Sequence, residues 1–145
     1  MRALAQRVAR AGVEVDGRSI AEIGPGLLVL LGVCHGDDEA RADRLAERVL
    51  ALRVFADERG RMSEPLGDRE LLCVSQFTLY ADTARGNRPG FTDAAPPALA
   101  EPLYERFCER TGAARGAFGA HMVVSMRGDG PVTIMLDEPR GGRGR

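Results

Sequence analysis

The rhythm of apolar and polar positions changes along the chain, and each change marks an element. Val13-Glu14-Val15 alternates as a strand does, and Asp16-Gly17 is a two-residue hairpin signal. The chain is expected to return as a second strand over 18–23. Gly24-Pro25-Gly26 reads as a turn. Residues 27–33 are apolar except Gly32, which predicts a buried strand. Asp37 is expected to cap a helix, with Asp38 and Glu39 in its positive first turn. Leu45, Val49 and Leu52 recur at helical spacing, so that helix spans 38–52. Residues 53–56 suggest a short strand before the polar turn Asp57-Glu58-Arg59-Gly60. The pattern predicts a second strong strand over 71–80, then a long loop over 81–97 rich in Gly, Pro, Asn and Asp. Connections of that length are often functional. Leu99, Leu103 and Phe107 mark a second helix, with Pro102 tolerable only near its first turn. Residues 122–126 and 132–136 read as a hairpin around Gly128-Asp129-Gly130-Pro131.

Strands outnumber helices, and hairpins outnumber strand–helix–strand alternation. The expected fold class is α+β: antiparallel sheets curled into a barrel-like core, with two helices covering one side. A chain of 145 residues forms one domain, able to bury roughly 68–70% of its unfolded surface without metals or disulfides. That domain is expected over 1–139. The tail Arg140-Gly141-Gly142-Arg143-Gly144-Arg145 reads as disordered.

Composition narrows the function classes. A net charge of −1 gives no global attraction to nucleic acid, so any RNA contact must be local. Every basic residue is arginine, a side chain suited to bidentate phosphate contacts. The apolar run at 27–33 is far shorter than the ~20 residues of a membrane span. The first residues carry no apolar signal segment. Cys34, Cys73 and Cys108 form an odd, widely spaced set, read as free thiols in a reducing cytosol.

Conventional catalytic side chains are scarce. His35 and His121 are candidate bases, but neither accompanies a nucleophile motif, and both read as loop or strand-end residues. Gly24-Pro25-Gly26 and Gly116-Ala117-Phe118-Gly119 match no phosphate loop. Asp37-Asp38-Glu39 is accounted for as a helix start. Two segments stand out instead. In Ser75-Gln76-Phe77-Thr78-Leu79, strand alternation would put Ser75, Phe77 and Leu79 on one face and Gln76 and Thr78 on the other. Polar groups in an apolar strand suggest a lined pocket; a strand with one solvated face fits equally well. In Gly130-Pro131-Val132-Thr133, an X-Pro bond stands at a strand entrance, where the backbone can be the working part.

Those two segments belong to a longer series. Gln6-Arg7-Val8, the run from Gly24 through Val33, Ser75-Gln76-Phe77-Thr78-Leu79 with Tyr80-Ala81-Asp82-Thr83, Arg88-Pro89-x-Phe91, Ala94-Ala95-Pro96, Phe118-Gly119-Ala120-x-Met122 and Asp129-Gly130-Pro131-Val132-Thr133 together resemble the D-aminoacyl-tRNA deacylases, in order, over nearly the whole chain. Three departures accompany the match. Gly128 replaces a usual Asn, which removes a contact bracing the Gly-Pro turn. Gly90 replaces a usual Ser, which loosens its loop. The segments before Cys73 and between Phe107 and Phe118 are shorter.

The resemblance implies a cytosolic homodimer that hydrolyses the ester joining a D-amino acid to the terminal adenosine of tRNA, with no cofactor, metal, membrane or DNA involved. It implies that Gly130 and Pro131 are joined by a cis bond and enter the partner's pocket. Their carbonyls would accept from the α-ammonium of a D-aminoacyl group and clash with the side chain of an L-enantiomer; glycine would pass. Ser75, Gln76, Phe77 and Thr78 would supply main-chain and positioning groups, while the 2′-hydroxyl of the adenosine assists water. Gln6 and Arg7 would brace the turn, and Phe118, Gly119, Ala120 and Met122 would hold the adenine. Two other readings stay open: the relative that removes L-alanine from tRNA, and a non-catalytic RNA-binding or dimeric β-scaffold protein.

Overall fold

The computed structural model describes residues 1–139; the Arg/Gly tail, expected to be disordered, lies outside the described residues. Strand β1 (Arg2–Val15) turns through Asp16 and Gly17, both at positive φ, into β2 (Arg18–Ile23), the hairpin expected from that dipeptide. β3 (Gly26–Gly32) is the buried apolar strand and lies antiparallel to the other half of β1. Helix α1 (Glu39–Ala51) follows, then β4 (Phe55–Ala56), β5 (Met62–Glu64) and β6 (Glu70–Ser75). Helix α2 (Pro97–Thr111), β7 (Ala114–Arg115) and β8 (Val123–Asp137) complete the fold.

The main sheet runs β2-β1-β3-β6-β7, with β8 also paired to β1. β1 is long enough to serve β2 and β3 along one edge and β8 along the other. The sheet is antiparallel around β1, but β6 runs parallel to β3 and β7 parallel to β6. α1 and the β4–β5 pair intervene between β3 and β6, and such a crossover returns the chain in the same direction. β2 comes back alongside β6 and β7, which curls the sheet into a nearly closed barrel. Val8, Ala11, Val13, Ile23, Leu28, Leu72 and Val74 fill its interior. The opposite face packs on α1 and α2 through Leu27, Val29, Leu31, Leu45, Val49, Leu103 and Phe107. The α+β barrel with two covering helices is therefore the observed architecture.

Four local expectations need correction. The cap of α1 is Asp38, whose carboxylate accepts from the Arg41 amide; Asp37 is instead 5% exposed and ion-paired at 2.9 Å to the α-ammonium of Met1. Pro102 lies in the second turn of α2, because the helix begins at Pro97. The strand expected over 71–80 ends at Ser75, and Phe77–Tyr80 is a 3₁₀ turn. Its partner β3 ends at Gly32, so the ladder closes with the Gln76 amide donating to the Leu31 carbonyl at 2.8 Å. The turn then folds over Gly32, where a Cβ would stand 3.1 Å from Leu79 Cβ and 3.2 Å from the Tyr80 ring. Apolar alternation cannot reveal that a partner strand has run out. Lastly, residues 122–136 form no hairpin. Both halves of β8 pair with β1, and residues 129–132 bulge out opposite Arg7, between the Gln6–Thr133 and Val8–Gly128 pairs.

Candidate active site

One cavity of about 580 Å³ opens beside the end of β6. Ser75, Gln76 and Phe77 form one wall and Phe118, Gly119, Ala120, His121 and Met122 another. Phe91, Ala94, Ala95, Pro97 and Ala100 close it from the long loop and the start of α2. The two sequence segments expected to bind ester and adenine thus face one space, although they lie over forty residues apart.

The 3₁₀ turn decides what the first segment presents. Its start leaves the amides of Phe77 and Thr78 without an intramolecular acceptor among the described residues. The Thr78 hydroxyl accepts from Gln76 Nε2 at 2.5 Å and lies outside the cavity lining. The Phe77 ring is 53% exposed and meets Phe91 edge-on, with centroids 5.0 Å apart. Phe118 is half-buried, its ring tilted on Tyr104 at 5.9 Å, so one side belongs to the core and the other to the cavity. Tyr104 in turn donates to the Cys73 carbonyl at 2.8 Å, tying α2 to β6 behind the site. Burial holds the Cys73 thiol well above its ordinary pKa, so it stays neutral. All three cysteines are free, though Cys34 is only half-buried.

The Gly130–Pro131 bond is cis, as the resemblance implied. Neither residue lines the cavity of its own chain, and both are exposed. Arg7 fastens the bulge: its Nε donates to the Asp129 carbonyl at 2.9 Å while Nη1 donates to the Val54 carbonyl at 2.6 Å. Asp129 Oδ2 lies 3.5 Å from the same Nε. Gln6 Nε2 reaches Thr133 Oγ1 at 3.5 Å, on the far side of the bulge. Gly128 has no side chain to add, so Arg7 supplies the bracing. The loop containing Gly90 is likewise held by main chain: Asp82 and Gly90 exchange two hydrogen bonds, at 2.7 and 2.9 Å.

Sequence reasoning passed over Phe91, Pro97 and Ala100 as site residues and set His121 aside after weighing it as a base. Phe91 was legible in the Arg-Pro-x-Phe motif; the small residues at the start of α2 carry no chemical signature. His121 reads as a strand-end residue until the fold sets it on the rim.

The barrel thus carries an aromatic-walled cavity with free main-chain donors at one side and a main-chain bulge displayed elsewhere. The comparisons place it. The family model for D-Tyr-tRNA(Tyr) deacylase matches residues 4–137. A D-aminoacyl-tRNA deacylase of Roseiflexus castenholzii is 57% identical, covering 97% of each chain, and one of Xanthomonas axonopodis pv. citri is 54% identical over 94% of this chain and 99% of its own. Among solved structures, a c-Myc DNA unwinding element binding protein aligns with a TM-score of 0.89 at 41% identity, covering 94% of this chain and 98% of its own. A probable eukaryotic D-amino acid tRNA deacylase shares the fold, with a TM-score of 0.83 at 15% identity over 93% of this chain and 97% of its own. The chain belongs to the D-aminoacyl-tRNA deacylase family and is a hydrolase acting on aminoacyl-tRNA.

Proposed function

We propose that the chain works as a homodimer in the cytoplasm, each protomer lending its Gly130-Pro131 bulge to the other's cavity, and that it removes D-amino acids and glycine from the 3′-terminal adenosine of tRNA. The observation that carries this reading is the bulge itself: main chain fastened by Arg7 yet outside its own chain's cavity. Exposed Val123, Val124, Met126 and Met135 on β8 support a second copy packing on that side. No helix of the described residues is long and apolar enough to cross a membrane.

In the joined site Gly130 and Pro131 present their carbonyl oxygens to the α-ammonium. A hydrogen bond to a charged group contributes about 1.5–3 kcal/mol, roughly a ten- to hundredfold preference. Stronger rejection of L-substrates comes from the clash of their side chains with those oxygens. Phe118, Gly119, Ala120 and Met122 take the adenine. Water, assisted by the vicinal 2′-hydroxyl, adds to the ester carbonyl, and the Phe77 and Thr78 amides stabilise the oxyanion. The acyl–oxygen bond then breaks, the 3′-oxygen takes a proton, and free amino acid leaves. Ser75 and Gln76 position the ester; Gln6 and Arg7 hold the bulge.

The test is ester loss from D-tyrosyl-, glycyl-, L-tyrosyl- and L-alanyl-tRNA offered in parallel. The first two are expected to be deacylated and the last two spared. Glycyl-tRNA resisting as firmly as L-tyrosyl-tRNA would remove the clash argument, and preferential loss of L-alanine would assign the chain to the other editing activity.

A further inference from the structure

The cavity has no fixed charge with which to hold a polyanion. Its lining is aliphatic, aromatic, amide and hydroxyl, with His121 the only titratable side chain. The whole chain, at −1, offers no compensating attraction. Yet the substrate that the deacylase reading assigns to this cavity trails a phosphate at every nucleotide.

Cations stand a short stretch of chain away. The bridge between Asp82 and Gly90 pinches residues 83–89 into a closed loop. At its foot Phe91 forms part of the cavity wall against Phe77. The loop carries Arg85 and Arg88, both exposed. Among the described residues, neither guanidinium has a carboxylate in ion-pair range or a hydrogen-bond acceptor. The nearby Asp82 carboxylate is engaged instead by the Ala84 amide at 2.9 Å. Most other arginines among the described residues are committed, among them Arg10 to Glu22, Arg44 and Arg48 to Glu138, Arg106 and Arg110 to Asp43, and Arg115 to Glu105. Arg85 and Arg88 combine freedom with a place on the loop that leads into the cavity wall at Phe91.

The reach is adequate. Two residues, Pro89 and Gly90, separate Arg88 from Phe91, so their Cα atoms are at most about 10 Å apart. Phosphates on one strand recur about every 3.4 Å along a duplex axis. A strand that leaves the cavity past Phe91 brings the phosphates next to its seated adenosine within range of this loop. We propose that Arg85 and Arg88 form a phosphate clamp for the acceptor strand immediately upstream of the terminal adenosine. The clamp supplies the charge that the cavity lacks, and it acts on binding rather than on the chemical step. It rests on the deacylase reading above.

The clamp is tested by the salt dependence of KM for D-tyrosyl-tRNA, set beside turnover of 3′-O-D-tyrosyl-adenosine, which has the ester but no upstream phosphate. Each phosphate contact steepens the slope of log affinity against log salt by about 0.7–0.9. For R85A/R88A the slope is expected to flatten by about 1.4–1.8, which makes the parent lose roughly tenfold more affinity than the variant between 50 and 200 mM salt. kcat, and turnover of the adenosine ester, should match the parent. R85K/R88K should restore most of the slope, since it restores charge. An unchanged slope in R85A/R88A, or a slope that lysine fails to restore, overturns the clamp. If the adenosine ester is not cleaved even by the parent, the fault lies with the deacylase reading instead. Thermal unfolding of each variant separates a damaged loop from a lost contact: a slope that falls only together with the melting temperature also counts against the clamp.

Discussion

At the scale of single residues, what matters is which groups are already occupied. Arg7 spends its guanidinium on two main-chain carbonyls, those of Asp129 and Val54, and so fixes a piece of backbone rather than a ligand. The Thr78 hydroxyl accepts from Gln76 and stands outside the cavity lining. Thr78→Ala removes that hydroxyl and leaves the amide in place. Single-turnover deacylation by this variant should stay well short of the about 10²–10³-fold loss that follows deletion of an oxyanion donor. Loss of turnover with tRNA binding intact would assign Thr78 a direct chemical part.

At the scale of elements, the site is assembled from endings. β3 stops at Gly32, β6 therefore stops at Ser75, and the 3₁₀ turn over Gly32 is what frees the Phe77 and Thr78 amides. α2 begins with Pro97, whose own missing N–H is no loss in a first turn. The two helices are locked together by Asp43, which receives Arg106 Nε at 2.7 Å and Nη2 at 2.8 Å, with Arg110 at 3.0 Å. The Arg106 hydrogen bond, aided by the charges of Arg106 and Arg110, holds the Asp43 carboxyl below its ordinary pKa. α1 itself starts from the Asp38 cap at 2.9 Å to the Arg41 amide. Asp38→Ala should cost about 1 kcal/mol, read as a lower urea midpoint with an unchanged slope. Asp37, the residue the pattern favoured as cap, is reserved by tertiary structure: it takes the Met1 ammonium, the Cys34 amide and Arg41.

At the scale of the molecule, the two ends of the described chain meet, the Met1 ammonium donating to the Glu138 carbonyl at 2.7 Å, and Glu138 is fastened to α1. Glu138 is buried, and Arg44 and Arg48 of α1 donate to its carboxylate at 2.9 and 3.2 Å. Burial alone would raise its pKa; the two guanidinium hydrogen bonds outweigh it and leave the group below its ordinary 4.5. A depressed folded pKa contributes stability that is complete above 4.5 and is lost as pH falls through the folded value. Unfolding midpoints followed from neutral pH into acid should therefore drop below 4.5 in the parent. Glu138→Gln should be less stable at neutral pH and should lose less on acidification, so the two curves converge. Parallel curves would show that Glu138 does not carry this acid limb.

The sequence by itself determined a good deal: the β1–β2 hairpin from Asp16-Gly17, the buried run of β3, and both helices. These signals are local, because turn chemistry, apolar runs and helical spacing act over a few neighbours. Tertiary structure alone decided the parallel β3–β6 pairing, the 3₁₀ ending at Phe77, the bulge opposite Arg7, and the turning of Phe91 and His121 toward the cavity. Each of these depends on where a partner strand begins or stops, and that information sits tens of residues away in the chain.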